Sequence, residues 1–219
     1  MNYQESTVVI PTLNEAASIG PIAADLNERG YRVLVVDADS SDGTRQIALE
    51  NGAEVLNKKA KNDLANSVLE GVKRAKTNKV VVMDGDGQHP VDRVDAFAEK
   101  LSKSSLVAGF RSEVERWPFH RKALSGGAEL LARSMFRECR GVRDPLTGFF
   151  GVRKSDFPLK EMRPRGYKIV IEFLVHADVV EEVPYRFLER NGGSSSIGLR
   201  EVIDFKLHLA DLKYRQLKA

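Results

Sequence analysis

Three features of the chain predict an α/β fold with a doubly wound, mostly parallel sheet and flanking helices. In the first half, short β-branched or apolar runs alternate five times with helix-like stretches, the order that builds parallel sheets. These runs, such as Val80-Val81-Val82-Met83, are apolar throughout, as strands covered on both faces are. Three of them end in polar clusters, Thr12–Glu15, Asp37–Asp42 and Asp84–Gln88, and in such a sheet clusters of this kind converge along one edge where ligands bind.

Taken in order, Thr7–Ile10 reads as a buried strand stopped by Pro11. Glu15–Arg29 follows as a helix with Ile19, Ile22, Ala23 and Leu26 on one face, and Gly30 ends it. Tyr31–Val36 is the second strand, and it delivers the acidic stretch Asp37–Asp42 to a helix over 44–50. Asn51-Gly52 closes that helix before a short third strand, Ala53–Leu56. Lys58, Lys59 and Lys61 form a basic patch, in most proteins a solvated face. Leu64–Lys76 is an amphipathic helix, Lys79–Met83 a strand, Asp92–Lys103 a helix and Leu106–Phe110 a strand.

The second half changes character. Glu113–Lys122, with Trp117-Pro118 and the basic residues Arg116, Arg121 and Lys122, reads as a long irregular loop of the kind that often carries function. Ala123–Phe136 is a helix, and Arg143–Phe150 turns into another strand. Glu172 interrupts the apolar segment Ile169–Leu174; it is either exposed on one helix face or functionally ionised, and spacing alone favours exposure. Val183–Leu188 is a strand, 190–196 a Gly/Ser loop, and Glu201–Leu217 a closing helix that mixes Val202, Phe205, Leu209 and Leu212 with Lys206, Lys213 and Arg215. That helix either packs on the domain with a solvated basic face, the favoured reading, or lies on an anionic membrane surface.

Composition narrows the function classes. Hydrophobic residues at 42% and charged residues at 30% fit a soluble globular chain, and a net charge of +3 is too small to imply nucleic acid. Cys139 is the single cysteine, which excludes an internal disulfide, fits a reduced cytoplasmic setting and reads as a packing residue in the Leu130–Phe136 helix region. There is no apolar run of about 18 residues to span a membrane and no apolar signal core at the start. The 219 residues show no linker.

The chemistry centres on Asp84-Gly85-Asp86-Gly87-Gln88-His89-Pro90. Two carboxylates at a strand end, one residue apart and followed by an amide, offer oxygen-only ligands suited to Mg²⁺ or Mn²⁺ holding a diphosphate. A helix cap explains at most one acid, and Asp92 is available for that purpose. An EF-hand loop fails because His89 stands where glycine is required and Asp95 where glutamate is, and because a strand precedes the motif. Neither a Gly-x-Gly-x-x-Gly turn nor a Walker lysine follows the first strand.

The chain resembles family-2 glycosyltransferases, and among them the dolichyl (polyprenyl) phosphate mannose synthases. The likeness runs through Val8–Glu15, Val35-Val36-Asp37 with Ser40 and Asp42-Gly43-Thr44, Met83–Pro90, Trp117-Pro118, Asp144 with Thr147-Gly148, Gly166–Ile169 with Glu172, and Val183-Pro184 with Arg190 and Gly193. It implies a GT-A nucleotide-sugar fold in one glycosyltransferase domain, with 1–112 as the nucleotide-sugar half and 113–219 as the acceptor half. It also implies inverting transfer of mannose from GDP-mannose to a polyprenyl phosphate, by a protein that reaches the membrane surface peripherally. The alternatives are a transferase of the same fold using a UDP-sugar or a soluble acceptor, and a nucleotide-sugar-binding protein without transferase activity. By that likeness Pro11, Thr12, Glu15, Asp37 and Asp84 hold the nucleotide sugar, and Asp84, Asp86 and Gln88 the divalent metal. Asp86, Arg111, Arg121 and Arg190 then serve catalysis, while Trp117 and Ser196 lie on the acceptor side. Three departures stand out: Ala38 where a second Asp is usual, Asn62–Asn66 in place of a Gly-Leu-Gly stretch, and Ser196 in place of a lysine.

Overall fold

The computed structural model describes residues 5–58, 64–114, 119–189 and 199–218. Its strands are β1 (Ser6–Thr12), β2 (Arg32–Asp37), β3 (Glu54–Asn57), β4 (Lys79–Val82), β5 (Leu106–Val114), β6 (Phe150–Arg153) and β7 (Val180–Phe187). Its helices are α1 (Ala16–Glu28), α2 (Thr44–Glu50), α3 (Leu64–Arg74), α4 (Val94–Lys100), α5 (Phe119–Met135), α6 (Val170–Leu174) and α7 (Leu199–Lys218). They build a seven-stranded sheet in the order β3-β2-β1-β4-β6-β5-β7, parallel except for β6.

Side-chain alternation explains why the strands read as unbroken apolar runs. Val8, Ile10, Val33, Val35, Val81 and Val107 point to one face, where α1, α2 and α4 cover them. Val9, Leu34, Val36, Val80, Val82 and Leu106 point to the other, under α3, α5, α6 and α7. With both faces dry, the central strands β1, β2 and β4 are apolar at nearly every interior position, whereas the edge strands β3 and β7 carry charged residues.

The chain order reverses between β1 and β4, so the loops after these two strands diverge and open a crevice at the carboxyl edge. The antiparallel β6 adds a less obvious contribution to that edge. Because it runs against β4, with Val82 opposite Phe150, the loop before it reaches the edge where β4 and β5 end. The hydrogen bond from Gly109 N–H to the Phe149 carbonyl (2.8 Å) fixes it there.

Several expectations are corrected. Pro11 does not stop β1, which runs to Thr12. Pro11 faces the side of β1 where β4 pairing has ended at Val9, so its missing N–H breaks no ladder bond. The long loop expected over 113–122 is shorter, since β5 continues to Val114 through pairing with β7 and α5 begins at Phe119. Cys139 lies in a short turn after α5, buried as expected, and burial pushes its thiol up to about 12.

The main correction is Glu172. It is 0% exposed. His208 Nε2 lies 3.0 Å from its Oε1, and Arg215 donates to both of its oxygens, at 2.5 and 3.3 Å. Both partners come from α7, about forty residues on, so spacing within α6 carried no trace of them. Burial raises the carboxyl pKa, but the bonds from His208 and Arg215 outweigh it and hold the group below its ordinary value.

Candidate active site

The loops after β1 and β2 are stitched together. Asn14 N–H donates to Ser40 Oγ (2.8 Å), Ser41 N–H to Asn14 Oδ1 (3.0 Å), Glu15 N–H to Thr44 Oγ1 (2.9 Å) and Ala16 N–H to Asp42 Oδ2 (3.0 Å). Glu15 makes no side-chain cap for α1, and Asp42 from the neighbouring loop accepts from its first turn instead. Beneath this junction lies Asp37, 0% exposed. It accepts from Thr12 Oγ1 (3.0 Å), Ser40 Oγ (2.5 Å) and Ser40 N–H (2.9 Å), with Arg45 Nε at 3.7 Å. Among the predicted nucleotide residues, Pro11, Thr12 and Asp37 are therefore buried and Glu15 is half-buried.

The loop after β4 joins this assembly through Gly85. Its carbonyl accepts from Ser18 Oγ (2.6 Å), and a Cβ there would sit 3.0 Å from Thr12 Cγ2 and 3.2 Å from Ile10 Cγ2. Asp84 is left with a side chain 40% exposed, whereas Asp86 is buried and its Oδ1 accepts from Gln88 N–H (3.0 Å). Gln88 is clipped to the end of β7 by two bonds, Gln88 Nε2 to the Leu188 carbonyl (3.2 Å) and Leu188 N–H to the Gln88 carbonyl (3.0 Å).

His89 holds the loop from below. Asp84 N–H donates to its Nδ1 (3.0 Å), which places the ring proton on Nε2, 3.8 Å from Asp84 Oδ2. The ring stacks on Phe149 at 4.9 Å and meets Tyr185 edge-on at 5.4 Å. Burial, aided by Lys168 and Arg111 against the pull of Asp86 and Asp144, lowers its pKa to about 4, so the imidazole is neutral near pH 7.

The loop before β6 closes the site. Gly148 lies so near Asp84 that a Cβ would sit 3.0 Å from Oδ2. Asp144 Oδ2 accepts from Arg111 Nε at 2.8 Å. Lys168, just before α6, donates its ammonium to the Leu146 carbonyl (2.8 Å). Loss of water around that ammonium holds its pKa below the ordinary lysine value; the nearby Arg111 adds to this, and Asp144 and Asp84 oppose it.

Asp84, Asp86, Gln88 and Arg111 thus converge at one edge. Asp144, His89 and Lys168 join them, although sequence reasoning assigned these three no role. The Arg143-Asp144-Pro145 turn and its Thr147-Gly148 were visible, but only the antiparallel path of β6 carries them to Asp84. Arg121 lies on α5, with its side chain outside the described residues, as are Trp117, Arg190 and Ser196. Among the described residues no three His, Cys, Asp or Glu side chains gather as a metal cage. Two carboxylates and an amide oxygen still fit a hard cation whose remaining ligands are phosphate oxygens and water.

Residues 7–157 match the sequence profile of Glycosyl transferase family 2, and the chain belongs to that family. It is 32% identical, over 97% of its own length, to the dolichol-phosphate mannosyltransferase of Pyrococcus furiosus, and it spans 63% of that relative's length. It is 27% identical to the dolichol-phosphate mannosyltransferase of Mycosarcoma maydis, covering 94% of this chain and 78% of the relative. Among solved structures, glucosyl-3-phosphoglycerate synthase from Mycobacterium tuberculosis superposes with a TM-score of 0.72 at 19% identity, over 96% of this chain and 79% of that one. Mannosyl-3-phosphoglycerate synthase from Rubrobacter xylanophilus gives 0.68 at 20% identity, over 97% and 74%. The fold is thus the GT-A glycosyltransferase fold, as the resemblance implied. The mycobacterial enzyme has also been solved with Mn²⁺ and uridine diphosphate bound.

Proposed function

We propose that the chain catalyses inverting transfer of a sugar from a nucleotide sugar, with GDP-mannose favoured, to a polyprenyl phosphate such as dolichyl phosphate, using Mg²⁺ or Mn²⁺. The observation that supports it most is the meeting of the Asp84/Asp86 carboxylates with the Arg111 and Lys168 cations at one sheet edge. Hard oxygen ligands beside fixed cations suit a metal-held diphosphate that must depart with its charge stabilised. The names of the relatives, dolichol-phosphate mannosyltransferases, support mannose and a lipid phosphate.

In this reading Asp84, Asp86 and the Gln88 amide oxygen hold the cation, which when bound acts as a Lewis acid toward the leaving diphosphate. Pro11, Thr12, Glu15 and Asp37 shape the nucleotide site, the last through Thr12 and Ser40. Arg111, Arg121 and Arg190 face phosphate oxygens, and Trp117 and Ser196 belong to the acceptor side. Residues 1–112 serve the donor and 113–219 the acceptor. A phosphate monoester is already ionised at neutral pH, its second pKa being about 6, so no base need remove a proton. Its oxygen attacks the anomeric carbon opposite the diphosphate. The new carbon–oxygen bond forms as the old one breaks, and the configuration inverts. His89, neutral and wedged under Asp84, fixes the carboxylate's direction.

The acceptor places the protein at a membrane surface, for which α7 supplies a face. Phe205, His208, Leu209 and Leu212 are buried, while Ile203, Leu207, Tyr214 and Leu217 stand exposed on the opposite side with Lys206 and Lys218. Among the described residues no helix is long and apolar enough to cross a membrane. Peripheral attachment to an anionic cytoplasmic leaflet is the reading this face supports.

Thermal stabilisation by GDP-mannose, UDP-glucose and UDP-N-acetylglucosamine with Mn²⁺ tests the donor. At a hundredfold excess over Kd a ligand that binds only the native state adds about 2.7 kcal/mol. The expected result is a shift with GDP-mannose that is lost in Asp86→Ala, together with a drop in transfer of ~100-fold or more in that variant. A shift with uridine nucleotides alone changes the donor, and no shift with any of them removes the transferase reading.

A further inference from the structure

Lys168 is a cation that the fold places beside the site with little else to do. Its Nζ gives one hydrogen bond to the Leu146 carbonyl and stands 5.2 Å from the centre of the Tyr167 ring. Among the described residues that carbonyl is its sole hydrogen-bond partner, and no carboxylate lies within ion-pair distance. An ammonium carries three donors, so two remain. The neighbouring Asp144 carboxylate, whose Oδ2 accepts from Arg111 Nε at 2.8 Å, is already engaged. Arg111 and Lys168 therefore stand near one carboxylate that bonds only one of them. They flank the loop 144–148, which touches Asp84 through Gly148.

Two like charges held close in a half-dry site destabilise each other, and an anion between them relieves the repulsion. The fold holds Lys168 there because α6 begins two residues on, at Val170, and α6 is pinned to α7 by the buried Glu172. We propose that Lys168 is a phosphate-binding residue of the site, acting with Arg111 on one dianionic phosphate group. This rests on the transferase reading above and deepens it. The shared chemistry is a phosphate oxygen accepting from the ammonium; its source is either the acceptor's monoester or the donor's diphosphate.

Three variants separate this role from a structural one. Lys168→Gln keeps a donor for the Leu146 carbonyl and removes the charge, Lys168→Met removes both, and Lys168→Arg keeps the charge. Affinity for GDP with Mn²⁺ is measured by calorimetry, transfer to polyprenyl phosphate at saturating donor, and melting temperature as a check on folding. The expected result is a fall in transfer of ~100-fold in the Gln and Met variants, with partial recovery in the Arg variant and unchanged melting in the Gln variant. Unchanged GDP affinity assigns the acceptor phosphate, and a tenfold or larger loss of GDP affinity assigns the donor diphosphate; both outcomes support the role. Wild-type transfer by Lys168→Gln overturns it, because the carbonyl bond alone then accounts for the lysine. Should the wild-type protein bind no nucleotide, the transferase reading fails by itself. Binding of inorganic phosphate to wild type against Lys168→Gln then decides the residue, equal affinity overturning the proposal.

Discussion

At the scale of single residues, His89 shows how one side chain serves both packing and the site. Its ring fills a box of Phe149, Tyr185 and Phe187, and its Nδ1 fixes the backbone of Asp84. The folded pKa of about 4 lies below the ordinary 6.5, so the unfolded chain takes up a proton first as pH falls. Stability from this group is whole above pH 6.5 and is lost between there and about 4, by up to about 3 kcal/mol. Comparing urea denaturation of the metal-free protein with His89→Gln at pH 7 and 4.5 cancels the carboxylates common to both. The wild type's advantage is expected to shrink at the lower pH; a difference independent of pH means the imidazole is not buried neutral. The sequence displays His89 in its motif, but the aromatic box comes from the loop before β6 and from β7, and its neutrality is a product of that burial.

At the scale of elements, the tie between α6 and α7 is a buried ionic cluster of Glu172, His208 and Arg215. Removing one partner of such a cluster leaves buried charge unpaired, so Glu172→Ala is expected to cost ~3–5 kcal/mol in urea denaturation. The combination Glu172→Leu with His208→Leu is expected to recover part of that loss, because Arg215 sits partly in water and can turn outward. Equal losses in the two variants would show that the cost is packing rather than charge. The periodicity of α1, α3 and α7 was plain in the chain, since a face packed on a sheet must repeat every three or four residues. The extents of β5 and α5 were not, because continuation to Val114 depends on β7, a partner more than sixty residues away.

At the scale of the whole molecule, the exposed apolar line of α7 makes a prediction about attachment. Ile203, Leu207, Tyr214 and Leu217 recur every three, four or seven residues along α7, with Leu207 50% and Leu217 75% exposed and Lys206 and Lys218 beside them. Co-sedimentation with vesicles containing phosphatidylglycerol is expected, stronger at low salt. Leu207→Glu with Leu217→Glu should abolish it without lowering the melting temperature, since neither side chain belongs to the core. Binding that survives the double substitution would place the attachment elsewhere.

The order of strands and helices, the two-faced sheet, the acidic strand ends and the family are all legible along the chain. All of these are local: a dry strand must be apolar, and a metal–diphosphate loop needs closely spaced carboxylates and glycine. Which distant side chains meet is settled by packing in three dimensions. The antiparallel β6 carries Asp144 and Gly148 to Asp84, Lys168 comes to stand near Arg111, and Glu172, for which spacing alone favours exposure over a functional charge, lies dry against α7. Each of these depends on pairings between segments tens of residues apart, whose energies come from burial and charge in three dimensions and leave no period along the chain.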